Sequence, residues 1–271
     1  MISMIVETVI AMITNQMKYE KIKVKGLCLL IFLSIFSFQY SLCSAQVAQN
    51  RPYVDDKLFH FGFQLGLNFA SFGVKDSELE IENPITGEKE TYHARVKTLL
   101  PGFNVGFITD LRLCKYLNLR FCPGMQFSSR TISYKTESGR PVQGTPGKRG
   151  ANIDVLSIPV TMPLYLKFSA AREGNYRPYV IGGGGVSFNV SRDREKPVLL
   201  NLMDYFCEVG FGVDLYLRWF KLCPEITYRI GFANQLYPSD KRTELAPQDV
   251  FYTDAISRLT NHCICLTFNF E

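Results

Sequence analysis

The stretch FHFGFQLGLNFA, Phe59 to Ala70, alternates without a break. Phe59, Phe61, Phe63, Leu65, Leu67 and Phe69 share one face of an extended chain. His60, Gly62, Gln64, Gly66, Asn68 and Ala70 share the other. A period of two identifies a β-strand. Two environments fit it. A half-buried strand turns its apolar face to a core and its polar face to water. A transmembrane barrel strand turns its apolar face to lipid and its small or polar face to the lumen. One strand does not separate the two; repetition, connections and leader do.

The alternation recurs along the chain. Phe103 to Leu111 and Leu117 to Phe127 repeat it. So do Leu156 to Phe168 and the stretch around Val180, Val186, Phe188 and Val190. Tyr205 to Trp219, Phe220 to Ile230 and Ile264 to Phe270 complete the set. This predicts eight strands of about ten residues, the length a tilted membrane strand needs. Bacterial outer-membrane barrels have an even strand number. Long connections are expected at Gly73–Thr98, Ser129–Asn152, Ser191–Leu202 and Phe232–Asn261. Short ones are expected at Leu113–Tyr116, Ala170–Asn175 and Arg218–Lys221. Long loops at one end and tight turns at the other are the outer-membrane layout. The expected fold is therefore all-β: an eight-stranded antiparallel up-and-down transmembrane β-barrel with long extracellular loops and short periplasmic turns.

The face assignment names its residues. Phe61, Phe63, Leu65, Phe211, Val213, Leu215 and Phe268 are expected to face lipid. Arg120, Lys167, Glu208, Asp214, Glu225 and Arg229 fall on the opposite faces. An apolar core would make those charges very costly. A narrow lumen lets them pair, as a polar network that holds the barrel closed. An interior of eight strands is only wide enough for its own side chains, which argues against a pore.

The leader fits export. Lys18, Lys21, Lys23 and Lys25 precede the apolar run Leu27–Phe38, which is too short to span a bilayer. Small residues at Cys43 and Ala45 place cleavage before Gln46. Cys43 also raises a lipoprotein site, but Tyr40 and Leu42 make a poor lipobox. Residues 1–16 carry no basic residue and read as a mis-called start, with Met17 as initiator. The expected organisation is 17–45 signal peptide, 46–57 periplasmic segment and 58–271 barrel. Removing residues 1–45 lowers the net charge from +5 to +3, too mild to argue for nucleic acid.

Chemistry-bearing motifs are weak. Gly182–Gly185 lies inside a strand pattern with no Gly-Lys-Ser/Thr after it, so it reads as close packing rather than a phosphate loop. His262 with Ser257 is the only nearby pair for a lipid-modifying hydrolase, and its spacing has no motif character. Cys223, Cys263 and Cys265 lack zinc-motif spacing; a disulfide from Cys223 to the last strand stays open. No cofactor or metal is expected, and no enzyme activity. Residues 129–152 carry five basic side chains, Arg130, Lys135, Arg140, Lys148 and Arg149, against Glu137 alone. They are the candidate contact with lipopolysaccharide or a partner, beside the plain reading of a solvated loop.

Several stretches resemble a known family. KLFHFGFQLGLNFASF, YLNLRFCPGMQF, SIPVTMPLYLKFSA, GNYRPYVIGGGGVSFNVSRDREKPV, FKLCPEITYRIGF and LTFNFE are similar to the PorT-type outer-membrane barrels of the type IX secretion system. That resemblance implies a non-enzymatic accessory of protein secretion, and in gliding relatives of motility. It implies assembly or stabilisation of the machinery, with other secretion proteins as partners and no catalytic motif to carry over. The expected location is the outer membrane of a Gram-negative bacterium, as a monomeric barrel in lipid and lipopolysaccharide. A structural or surface-binding barrel without a secretion role is the alternative, and a lipid-modifying enzyme a third.

Overall fold

The computed structural model describes residues 49–77, 81–82, 89–136, 152–191, 196–242 and 249–271. The start-site and signal-peptide readings fall outside the described residues. The chain forms strands β1 (Phe59–Asp76), β2 (Ile81–Glu82), β3 (Lys89–Glu90), β4 (Tyr92–Leu99), β5 (Pro101–Arg112), β6 (Leu117–Phe121) and β7 (Gly124–Thr136). These continue as β8 (Asn152–Ser157), β9 (Pro159–Ser169), β10 (Tyr176–Asn189), β11 (Met203–Tyr216), β12 (Lys221–Gly231) and β13 (Ile256–Phe270). A single helix turn, α1 (Val250–Asp254), precedes β13.

All strands but β2 and β3 belong to one antiparallel sheet of eleven strands. Its order is β1-β13-β12-β11-β10-β9-β6-β5-β7-β4, with β8 on β7. β1 pairs on one side with β13, Phe63 opposite Phe270, and on the other with β5, Phe63 opposite Phe107. The pairings therefore return to their start and leave β1 no free edge. Three interruptions each lie at a proline. β4 gives way to β5 at Pro101, β6 to β7 beside Pro123, and β8 to β9 at Pro159. Proline has no N–H to give a ladder. Neighbours bridge two of the gaps: at Pro123, Phe107 N–H donates to the Pro123 carbonyl at 2.9 Å and Cys122 N–H to the Pro163 carbonyl at 3.3 Å; before Pro159, Val190 N–H donates to the Ile158 carbonyl at 3.1 Å.

The strands run further than the lipid-phase alternation implies. β1 continues to Asp76, β4 and the end of β7 occupy segments expected to be loops, and β8 begins at Asn152, where one of those loops was expected to end. The alternation persists there, but its polarity reverses. Along β1 the outward residues are apolar to Phe69 and then become Ser71, Gly73 and Lys75; the inward ones become Ala70 and Phe72. Along β7, Gln126, Ser128 and Arg130 point inward first, followed by buried Ile132 and Tyr134, while Thr131 and Ser133 turn outward. β4 buries Tyr92 and Ala94 and exposes Arg95. β8 buries Ile153 and Val155 and exposes Asp154. A sheet leaving lipid for water must exchange its faces, and these positions mark the crossing. Beyond it the strands rise roughly 20 Å further in β1, at about 3.3 Å per residue.

Inside that extension sits an apolar core of Phe72, Tyr134, Val155, Leu236, Phe251 and Leu259 with their neighbours. α1 is too short to persist alone; burial of Phe251 and Tyr252 holds it. The Tyr252 ring meets Tyr134 edge-on, centroids 5.0 Å apart, and Tyr92 packs on Phe251 at 5.7 Å. Val198 and Leu200 join the same core. The long-loop end of the sheet is thus closed by a small water-type core.

In the middle of the sheet Phe61, Phe63, Leu65, Phe211 and Phe268 are exposed, Phe61 at 70%. Val213 and Leu215 are half-buried. Leu215 adjoins the turn at 217–220, whereas Val209 lies six residues up β11, about 20 Å along the strand. Val209→Arg should therefore cost about 2–4 kcal/mol of stability and Leu215→Arg about 0–1 kcal/mol. Denaturant unfolding in vesicles, followed by the fluorescence of Trp219, checks this; equal costs would refute the depth assignment.

Candidate functional site: a packed polar lumen

The inward register is built for close filling. Gly212 on β11 leaves the space that the Tyr179 ring crosses; a Cβ there would lie 2.5 Å from the ring. Gly183 faces inward against the Leu164 carbonyl, where a Cβ would come within 2.1 Å. Within the glycine run, Gly183 and Gly185 pack closely on β9 and Gly184 on β11.

Two charge clusters fill the tube. In the one nearer the short turns, Arg120 is 1% exposed. Its Nε donates to Asp110 at 3.0 Å, its Nη2 to Glu271 at 2.7 Å and its Nη1 to Glu225 at 3.4 Å. Lys221 pairs with the other Glu271 oxygen. Lys167 Nζ contacts both Asp214 oxygens, at 2.7 and 2.8 Å, and sits 4.0 Å from the Tyr179 ring centroid. The Tyr179 hydroxyl donates to Glu225 at 2.8 Å, and Asn118 donates to Asp110 at 2.6 Å. Higher up, Arg229 donates to Glu208 at 2.8 Å through both Nε and Nη2, and through Nη1 to Gln126 at 3.0 Å. The Tyr165 hydroxyl donates to Glu208 at 2.8 Å.

All six residues expected in the lumen are buried, and each is ion-paired. Asp110, Lys221 and Glu271 complete the clusters, and the same alternation puts them on the inner face. Tyr165 lies on the same inner face, and Tyr179 carries no charge to draw notice; its ring against Gly212 is the signal. A cavity of about 20 Å³ remains between the clusters, lined by Gln64, Gln126, Glu208, Arg229, Cys265 and others. That is room for about one water.

The basic-loop expectation requires correction at Arg130. It lies in β7, is 2% exposed, and points inward. Its guanidinium stacks over Phe72 at 4.2 Å and Nη2 donates to Ser128 at 3.3 Å. The strand continues past the lipid there, so Arg130 falls inside the sheet and not on a surface. Lys135 is exposed near the end of β7. Arg140, Lys148 and Arg149 lie outside the described residues.

The other motifs separate. Both His262 nitrogens are engaged, by Tyr228 at 3.2 Å and Thr260 at 3.3 Å. Cys223, Cys263 and Cys265 are free and buried, with the Cys263 and Cys265 sulfurs 3.4 Å apart. Cys223 stands opposite Asn269 in the register, and not opposite a cysteine.

The network predicts a specific stability pattern. Arg120→Met takes the ion-pair partner from buried Asp110 and Glu225, leaves Glu271 to Lys221 alone, and should cost about 3–5 kcal/mol. Lys167→Met should be similarly harmful, but Lys167→Met with Asp214→Leu should recover much of the loss, because the orphaned charge is gone. A double-mutant cycle by denaturant unfolding in micelles measures this; strict additivity would dismiss the pair.

No curated protein sequence matches the chain. Among solved structures it is similar to the outer membrane protein OprG from Pseudomonas aeruginosa, at 12% identity and a TM-score of 0.39, covering 77% of this chain and 92% of that one. It is also similar to the outer membrane protein AlkL, solved by solid-state NMR in DMPC lipid bilayers, at 12% identity and a TM-score of 0.33, covering 86% and 92%. The family described as outer membrane protein beta-barrel domain matches residues 45–237. That match spans most of the chain, and with the lipid-type and lumen-type faces above, the chain belongs to the outer membrane protein beta-barrel domain family.

Proposed function

We propose that the sheet is an eight-stranded barrel and that it serves protein secretion of the type IX kind as a non-enzymatic, non-conducting accessory. The strand number follows from counting through the proline breaks: β4 with β5, β6 with β7, and β8 with β9. The observation that carries the reading is the packed lumen. Its ion pairs cross the tube and leave a cavity of about 20 Å³ between them. Cargo has no path through such an interior, so any role in export is exerted from the rims. The resemblance to PorT-type barrels supplies the secretion link. Its most specific segment ends in Pro197-Val198, and here that segment is tied into the outer core. The Pro197 carbonyl accepts from Thr253 at 2.5 Å and from Arg242 at 2.9 Å, and Val198 is buried.

A second reading is a structural or surface-binding small barrel without a secretion role. The apolar core above the membrane favours it, since it gives the outer face a fixed shape. Partners on this reading are lipid, lipopolysaccharide or surface ligands met by the loops.

A clean deletion distinguishes the two. Secretion cargo should accumulate in the periplasmic fraction and fall at the cell surface; normal cargo distribution would leave only the second reading. Purified protein in planar bilayers should show no stepwise ion conductance. Reproducible steps from the purified wild type would overturn the non-conducting reading.

A further inference from the structure

The short-turn end of the barrel carries a second site, independent of the secretion reading. The turn at 170–175 and the ends of β10 and β11 bring Arg172, Arg177 and Tyr216 together. Main-chain oxygens fix both guanidiniums. Arg177 Nε donates to the Ala170 carbonyl at 2.8 Å and its Nη2 to the Lys115 carbonyl at 2.7 Å. Arg172 Nε donates to the Gly174 carbonyl at 2.9 Å, and the Arg172 guanidinium lies 3.6 Å from the Tyr216 ring centroid. These contacts are made within the barrel, so the site is formed by the barrel itself.

Its occupant comes from outside the sheet. Residues 49–58 lead into β1 as an arm whose regular structure is one 3₁₀ turn, Val54–Asp56. Asp55, on that turn, has its two carboxylate oxygens 2.7 and 2.8 Å from the Tyr216 hydroxyl. Arg172 and Arg177 stand 3.9 and 3.8 Å from the same carboxylate. Two fixed cations and a hydroxyl donor thus face one acid. The arm also seats Asn50 on Asn175 at 2.8 Å and on the Tyr216 carbonyl at 3.0 Å, while Arg172 reaches the Asn50 and Arg51 carbonyls.

The arm is held chiefly by polar contacts, among them His60 Nε2 to the Val54 carbonyl at 2.8 Å, Arg112 to Asp56 at 3.1 Å and Arg51 to the Glu271 carbonyl at 3.3 Å. Val54 is its buried apolar side chain. Its turn bonds are long, at 3.2, 3.3 and 3.4 Å. Segments with so little buried apolar contact open at low free-energy cost. At Arg172, Arg177 and Tyr216 the arm offers main-chain carbonyls, the Asn50 amides and the Asp55 carboxylate, groups that an acidic peptide also carries. The Tyr216 hydroxyl donates a charge-assisted bond to the carboxylate, and the two guanidiniums favour its negative charge through space from 3.8 and 3.9 Å.

We infer that Arg172, Arg177 and Tyr216 form a carboxylate-binding site that Asp55 occupies in cis, and that an extended acidic peptide takes it in trans when the arm lifts. The arm is then a built-in competitor, and the partner is a chain presenting an aspartate or glutamate to the short-turn rim.

The test uses the full chain in detergent micelles and a fluorescein-labelled, end-capped peptide of residues 49–57, QNRPYVDDK. Asp55→Asn should speed hydrogen exchange at the Val54, Asp56 and Lys57 amides at least about fivefold and leave sheet amides unchanged. By fluorescence anisotropy, Asp55→Asn should bind the peptide at least about tenfold tighter than wild type. Adding Arg172→Ala should abolish that gain, as should asparagine at the peptide position equivalent to Asp55. Arg172→Lys, which keeps the charge and loses the fork, should show the same loss and serves where Arg172→Ala loosens the turn. Unchanged arm exchange in Asp55→Asn, or peptide binding indifferent to Arg172, would overturn the proposal.

Discussion

In the two lumen clusters each ionised side chain finds its counter-charge inside the tube. The lumen is narrow, and an apolar core closes its long-loop end, so bulk water has little share in the task. An unpaired charge in such surroundings costs far more than a paired one. The arrangement of the clusters follows from this. Arg120 stands on β6, beside its neighbour Asp110 on β5, but it also reaches Glu225 on β12 and Glu271 just beyond β13. Strand pairing joins neighbours around the circumference; Arg120 joins walls across the tube. Closure of the sheet and neutralisation of its interior are therefore one event. A slip of β13 by one residue against β1 would exchange its faces. Glu271 would move into lipid, Phe270 into the lumen, and Arg120 and Lys221 would each lose a partner. Register in the closing strands is fixed from inside as much as by the backbone ladder.

The sheet's central belt was legible because two constraints agree there. Lipid demands apolar residues outward, the lumen demands polar or small ones inward, and a period of two satisfies both. FHFGFQLGLNFA displays the rule in its purest form, and Arg120, Lys167, Glu208, Asp214, Glu225 and Arg229 follow from applying it. The strand extensions were hidden for a physical reason. Outside lipid the same strands bury the opposite face, so Phe72, Tyr134 and Val155 look out of phase with the belt below them. Read with one polarity, they resemble loop. Arg130 was misplaced by the same reversal, since a basic residue close to the crossing can belong either to the lumen or to a surface. Alternation puts Tyr165 on the inner face, but it reports polarity and not volume, so the packing of Tyr165 and Tyr179 does not show in it.

Cross-chain partners were beyond the pattern altogether. Spacing gives the face on which Asp110 or Glu271 lies, but not which cation it meets. That depends on tilt and on which walls approach, and glycines at 183 and 212 decide how closely they do. The arm illustrates the limit further. RPYVDD carries no periodicity and no motif, yet Asp55 meets Tyr216, Arg172 and Arg177 from more than a hundred residues away. Such a contact is set by the geometry of the rim on which the chain happens to lie.

A barrel filled in this way assigns different properties to its parts. The belt and the lumen supply rigidity, because any motion there breaks ion pairs that have no solvent to replace them. The outer core is held by apolar packing, with α1 formed only through that burial. The arm is held mostly by polar contacts at a wetter rim, where water can substitute for each lost bond. Conformational freedom in this molecule should therefore rise from the middle of the tube toward the short-turn end, and any partner that acts by displacing a segment would find its lowest resistance there.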